Sequence, residues 1–115
     1  MESCESTVFI SIHMNSFSQS QYSGLSVYYS KASPLSLEVA QNVNDVVTQK
    51  LKHIKRREIK AADSRIYLLD RADYPAILVE CGFLSNPDEC ANLAGELYQQ
   101  KLALLIFCAV DEALQ

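Results

Sequence analysis

The stretch that decides the fold is Pro75-Ala76-Ile77-Leu78-Val79-Glu80-Cys81-Gly82-Phe83-Leu84-Ser85-Asn86-Pro87, where an acid ends an apolar run and a sharp turn follows. Residues 76–79, opened by Pro75 and closed by Gly82, are typical of a strand buried on both faces. Glu80 is then expected at the carboxyl end of that strand, where an open parallel sheet binds ligands. A carboxylate partly withdrawn from water there is a candidate general base. The alternative is an acid that merely reaches solvent.

Length and charge limit the classes of protein to consider. A chain of 115 residues is one domain at most, and it is long enough to bury a core. The net charge of -4 gives no global attraction to nucleic acid or to an anionic membrane. Residues 1–7 do not have the basic start of a secretory signal. Residues 102–110 are too short an apolar run to span a membrane and predict a deeply packed helix instead.

The chain in order predicts strands that alternate with helices. Val8–His13 is expected to be a central strand, because it is β-branched and almost wholly apolar, and residues 24–29 and 66–69 are expected to be further strands. Ser33, as N-cap, and Pro34 predict the start of a helix of about five turns. Asn86, with an acid three residues on, predicts a capping box for another helix, and residues after Gly95 predict the last. The predicted fold class is α/β, with a mostly parallel sheet flanked by helices.

Six of the ten Lys and Arg residues lie between Lys50 and Lys60. One interpretation is a patch that binds phosphate groups, as in nucleic-acid binding. The other is a solvated helix end whose cations complement the negative end of the helix dipole. No aromatic residue interleaves the run, which favours the second interpretation.

Two residues with chemical potential are expected at matching positions of two strands. His13 ends its predicted strand as Glu80 ends the other, and an imidazole with a carboxylate is the minimum for metal-assisted hydrolysis. A Cys81 nucleophile is the rival. It fails on strand parity, because residues 80 and 81 point to opposite faces of a sheet. The four cysteines show neither a C-x-x-C pair nor zinc-ribbon spacing, so we expect small buried hydrophobes at Cys4, Cys81, Cys90 and Cys108.

Over nearly its whole length the chain resembles the zinc-dependent N-acetylmuramoyl-L-alanine amidases of bacterial cell walls. The resemblance rests on residues 11–15 (Ser-Ile-His-Met-Asn), residues 24–29 and above all residues 75–86. It is closest to the germination-specific, spore-cortex type. It implies zinc as cofactor, peptidoglycan as partner and a location outside the cytoplasm, in the cell wall or spore cortex.

The resemblance also implies roles for single residues. In the family, two His and one Glu hold the zinc, and a further Glu acts in catalysis. His13 matches the second zinc His, and Glu80 matches the catalytic Glu. Zinc would polarise a water and the substrate carbonyl, and Glu80 would pass the water proton to the leaving amine of L-alanine. Asn15 and Arg71 are expected to orient ligand or substrate.

One departure from the family pattern is large. The family's first zinc His and its Glu ligand precede the stretch matched by residues 8–13, so the chain is expected to lack both. Residues 1–115 then form a single, partial catalytic domain without the family's first strands. Three hypotheses remain open: a zinc amidase completed by another segment, a non-catalytic remnant that keeps a weak wall-binding groove, and a binding module that works through its basic run.

Overall fold

The computed structural model describes residues 7–115, and the fold is an α/β fold built on a four-stranded sheet. The strands are β1 (Phe9–Asn15), β2 (Leu25–Tyr29), β3 (Arg56–Ala61) and β4 (Ala76–Phe83). The helices are α1 (Leu35–Lys50), α2 (Tyr67–Arg71), α3 (Pro87–Leu93) and α4 (Glu96–Ala113).

The strand order is β1-β4-β2-β3. β1 and β4 run parallel, as do β2 and β3, whereas β2 and β4 are antiparallel. The predicted fold class, a mostly parallel sheet flanked by helices, is confirmed. Residues 8–13, whose composition predicts a central strand, form the edge strand β1 among the described residues, and β4 and β2 occupy the centre of the sheet. The central position is therefore wrong, whereas an unpaired edge is what a chain without the family's first strands is expected to have.

The main hydrophobic core lies between the sheet and the pair α1 and α4. Side chains alternate between the two faces of a strand, and on this face they include Val27 from β2 and Val79 from β4. α1 contributes Val39, Val43 and Val47, all fully buried. The opposite face carries a smaller cluster around α2: Ala62, Leu69, Ala72, Ala76 and Leu78.

Two elements differ from the prediction because partner strands decide them. The basic run does not form the end of α1, which stops at Lys50. The second half of the basic run forms β3, which pairs with β2. Residues 66–69, expected to be a strand, instead lead into and form most of the short helix α2. Its Leu69 packs on the sheet in the smaller cluster with Ala76 and Leu78. The hydrophobic pattern of neither segment predicts its element, because four of the six residues of β3 are charged and α2 is only five residues long.

Of three predictions about the ends of elements, two are wrong and one is confirmed. β4 does not close at Gly82 but continues to Phe83, so Glu80 lies within the strand rather than at its end. Ser33 makes no side-chain cap of α1, whose N-cap position is Pro34. Asn86 is confirmed as the cap of α3, since its side chain accepts from the backbone N–H groups of Asp88 and Glu89 at 3.1 Å.

Glu89, the acid of the predicted capping box, makes its hydrogen bonds outside α3. The Glu89 carboxylate accepts from the backbone N–H of Gly24 at 3.0 Å and from that of Phe83 at 2.9 Å. It therefore ties α3 to the start of β2 and the end of β4.

Gly24 has a φ of 118°, a left-handed conformation that side chains disfavour, and a Cβ there would clash with the Lys55 carbonyl oxygen.

α4 is less deeply packed than predicted. It buries Leu102, Ile106, Ala109 and Val110, but Leu104 and Phe107 face solvent. No single helix among residues 7–115 is long and apolar enough to cross a membrane. α3 and α4 pass that test only as a pair, and they are bent by 82° at the break between them.

Candidate active site

His13 and Glu80 are direct neighbours across the β1 and β4 pair. Cα atoms of paired strands lie about 5 Å apart and paired side chains share one face, so the structure brings the two residues together as the sequence predicted. The face is the one that α2 covers only in part. The site is therefore on the open face of the sheet and not in a crevice beyond the strand ends, because both strands continue past these residues.

The electrostatics of Glu80 suit a proton acceptor. Burial raises the pKa of the Glu80 carboxyl above its ordinary value, and the nearby imidazole of His13 lowers it by a smaller amount. A carboxylate whose pKa moves towards neutrality accepts a proton more readily at neutral pH. The His13 ring is exposed, and its Nε2 lies 2.8 Å from the Ser11 hydroxyl on the same strand face.

Ser26 is a site residue that sequence reasoning missed. It pairs with Glu80 from β2, on the side opposite His13, and its side chain is half-buried. The alternation in residues 24–29 places Ser26 and Tyr28 on one face, but only the pairing of β2 with β4 shows that this face is the one with Glu80.

Two hollows lie on this face. The Glu80 hollow, of about 400 Å³, is lined by Tyr28, Lys60, Arg65, Ile66, Leu78 and Glu80, among others. The Arg57 hollow, of about 230 Å³, lies further along β2 and is lined by Asn15, Tyr22, Ser26, Tyr28, Arg57 and Lys60, together with Phe17, Glu58 and Phe83. Tyr28 and Lys60 line both, so they form the ridge between the hollows.

The two predicted substrate-binding residues lie in different places. Asn15 lines the Arg57 hollow, and its side-chain oxygen accepts from the backbone N–H of Ser16 at 2.8 Å. Arg71 lies on α2 with its guanidinium 4.9 Å from the centre of the Tyr67 ring, and it lines neither hollow. The structure brings Asn15 to the open face near Glu80 but shows no contact between Arg71 and that site.

The rival nucleophile is buried on the other face. Cys81 packs in the main core, and burial, followed by the charge of Glu80, raises the pKa of its thiol to about 12. A thiol that stays protonated is a poor nucleophile. The expectation of buried cysteines holds for Cys81 and is wrong for Cys90 and Cys108, which are exposed, while Cys4 lies outside the described residues.

The described residues do not complete a metal centre. Among residues 7–115, no three His, Cys, Asp or Glu side chains come close enough to hold a metal ion. His53 is part of no such group, and its Nε2 lies 3.2 Å from the Tyr98 hydroxyl. Glu2 and Glu5, the two acids that precede β1 and could supply carboxylate ligands, lie outside the described residues. A catalytic zinc normally has three protein ligands and an open position, so His13 alone does not fit the family's zinc.

A half-buried carboxylate beside an imidazole, on the open face of an α/β sheet, is an arrangement that can accept and donate protons. The comparison with protein families gives the particular group. The chain belongs to the N-acetylmuramoyl-L-alanine amidase family, a zinc-dependent family whose model matches residues 1–112.

Individual relatives agree with this assignment. The chain is 32% identical over 103 residues to the germination-specific N-acetylmuramoyl-L-alanine amidase of Bacillus subtilis, a match that covers 90% of this chain and 43% of that protein. The solved structure of the CwlD amidase from Clostridioides difficile, in complex with the GerS lipoprotein, is 38% identical with a TM-score of 0.86 and covers 93% of this chain and 54% of that one.

A second solved structure is equally close in shape. The N-acetylmuramoyl-L-alanine amidase AmiC2 of Nostoc punctiforme is 33% identical with a TM-score of 0.86, and the match covers 95% of this chain and 58% of that one. The chain thus spans about half the length of these relatives. Its fold is that of an amidase catalytic domain over that half.

Proposed function

We propose that this chain is part of a zinc-dependent amidase that hydrolyses the bond between N-acetylmuramic acid and L-alanine in peptidoglycan. Its site of action would be the cell wall or the spore cortex, outside the cytoplasm. Residues 1–115 would form one partial catalytic domain, in which Glu80 is the proton acceptor and His13 is a zinc ligand. Asn15 would contact the substrate, and Arg71 would do so only if the substrate extends over α2.

The pairing of His13 with Glu80 on the open face of the sheet carries this proposal. The family supplies the reaction class, and the resemblance of the surrounding sequence assigns the two residues to its zinc and catalytic positions. The raised pKa of Glu80 adds a physical reason, because it makes this carboxylate a better base near neutral pH. Glu80 would take the proton of the attacking water and hand it to the amine of L-alanine.

The zinc ligands of the proposed site are incomplete within the described residues. Because no group of three ligands forms among residues 7–115, we expect the remaining ligands to come from a segment that the described part of the chain does not include. The same observation favours a second candidate function, a non-catalytic remnant that retains a groove for peptidoglycan. The two candidates differ in whether zinc and activity appear once the missing ligands are supplied.

A fusion tests the proposal. The segment of the Bacillus subtilis germination-specific amidase that precedes the match would be joined in frame ahead of Val8, and muropeptide release and zinc content would be measured after dialysis. We expect the 115-residue chain alone to lose zinc on dialysis and the fusion to retain it and to be active. A stoichiometric zinc in the unfused chain would contradict the proposed ligand set.

Two substitutions in the fusion separate the proposed roles. Glu80→Gln should lower turnover by about two to four orders of magnitude and leave zinc bound, because it removes the proton acceptor alone. His13→Ala should lose both. Glu112→Gln, on the exposed surface of α4, is the matched control and should keep full activity. A fully active Glu80→Gln enzyme would mean that Glu80 is a solvent-exposed acid with no catalytic role. An inactive fusion with tightly bound zinc would favour the non-catalytic remnant.

A further inference from the structure

The ridge between the two hollows combines two hydrogen-bond donors. Tyr28 and Lys60 are register partners on β2 and β3, and both line both hollows. A phenol hydroxyl and an ammonium group together suit an acceptor with a negative charge, such as a carboxylate. The Arg57 hollow is lined by two cations, Arg57 and Lys60, against one carboxylate, Glu58. Its charge balance therefore favours an anion.

Among the three cations that line the two hollows in the described part of the chain, Arg57, Lys60 and Arg65, Lys60 is the one without a short ion pair or a hydrogen bond to the backbone. Its ion pair with Glu58 is long, at 3.8 Å, and the two side chains are 51% and 70% exposed, so the pair contributes little. Arg65 is engaged with Asp63 at 2.7 Å. The Arg57 guanidinium donates to the Ser23 carbonyl at 3.2 Å and lies over the Tyr22 and Phe83 rings.

The distance from the proposed catalytic residue sets which part of a substrate reaches this ridge. β3 lies two strands from β4, about 10 Å across the sheet. A peptide advances about 3.5 Å per residue when extended. If the scissile amide lies at Glu80, the ammonium of Lys60, on its flexible stem, meets the second or third residue of the peptide arm.

We propose that Lys60 and Tyr28 form a subsite for a carboxylate on the peptide arm of the substrate, so that the protein distinguishes an acidic peptide from its amidated form. The inference rests on the proposed function, because that function defines the peptide arm. It gives part of the basic run a role that neither nucleic-acid binding nor a solvated helix end provides.

Binding of two matched ligands tests the subsite. The probes are N-acetylmuramoyl-L-alanyl-glutamate and the same molecule with the glutamate α-carboxyl amidated, titrated into the full chain by calorimetry at low ionic strength. The acid should bind about two- to fivefold more tightly, the range of an exposed ion pair, and added salt should reduce the difference. Equal affinities, or failure of both ligands to bind, would overturn the subsite.

Variants assign the preference to Lys60. Lys60→Met should abolish it and Lys60→Arg should restore it, whereas Lys52→Met, an exposed lysine of the same basic run that lines neither hollow, should leave it unchanged. Glu58→Gln should increase the preference, because it removes the competing carboxylate. A preference that survives Lys60→Met would place the carboxylate elsewhere and refute the assignment.

A readout on the fusion protein separates this inference from the proposed function. Lys60→Met should raise KM for the acidic substrate relative to the amidated one with little change in kcat, whereas Glu80→Gln should lower kcat and leave the binding preference intact. An active enzyme with no acid preference would defeat the subsite alone. An inactive enzyme that still prefers the acid in binding would defeat the proposed activity alone.

Discussion

α1 and α4 pack against the same face of the sheet but bury very different shares of their apolar surface. In α1 the inward residues Val39, Ala40, Val43 and Val47 are all 0% exposed. In α4 Leu104 is 60% and Phe107 is 64% exposed. Near the inner side of α4, the edge strand β1 leaves Ile12 49% exposed, and Ile12 and Met14 line a third hollow with Leu102 and Ile106.

The difference shows that the apolar surface is covered on one side of the molecule and partly exposed on the other. α1 closes over β2 and β3, whereas α4 and β1 leave an apolar surface beside an edge strand that has no partner on its outer side among residues 7–115. Such surfaces are typical of contact sites. The chain spans about half the length of the relatives it matches.

The largest effect should come from neighbouring residues on α4. Ile106 is 3% exposed and Phe107 is 64% exposed, so Ile106→Ala should cost about 2–5 kcal/mol of unfolding free energy by leaving a cavity. Phe107→Ala should stay within about 0.5 kcal/mol. Denaturant unfolding of both variants checks this. A similar loss for Phe107→Ala would mean that the outer side of α4 is covered in solution.

Self-association should be the next largest effect. The exposed edge of β1 and its apolar side chains predict a marginally stable chain that associates, with a melting temperature that depends on concentration. Ile12→Lys should shift the population towards monomer in sedimentation velocity, because a lysine on an edge strand opposes pairing. Leu97→Lys, which replaces an 82% exposed leucine of α4, is the control. A sharp, concentration-independent transition of a monomer would contradict the expectation.

The smallest effect concerns the open face and its pH dependence. Because burial raises the pKa of Glu80, the folded state holds the proton more tightly than the unfolded chain does. Glu80 therefore favours folding below its unfolded pKa, and this contribution is lost as pH rises through its folded pKa. Glu80→Gln should be more stable than the parent near pH 7, by at most about 1 kcal/mol because the carboxyl is half-exposed.

The pH series provides the check on this third prediction. Near pH 3 the difference between Glu80→Gln and the parent should vanish, because the parent carboxyl is then neutral as well. Unfolding by denaturant at the two pH values measures both differences. A Glu80→Gln protein that is less stable than the parent at neutral pH would mean that the carboxylate makes a favourable contact in the folded state.

Local patterns in the sequence were enough for several elements. The apolar run before Glu80, the helical period after Pro34 and the Asn86 cap each predict their element, because strand burial, helix amphipathicity and capping depend on residues a few positions apart. The face alternation of Glu80 and Cys81 likewise follows from the backbone alone. The likeness of residues 75–86 to the amidases added the reaction class.

Strand pairing determined which residues lie next to one another in the sheet. The inclusion of the basic run in β3 and the placement of Ser26, Tyr28 and Lys60 on the face of Glu80 depend on pairing between segments far apart in the chain. The hydrogen bonds and packing that fix such pairs involve partners that no local pattern specifies. The sequence by itself therefore determined which residues have catalytic potential, and only the tertiary structure decided which charged and polar neighbours surround them.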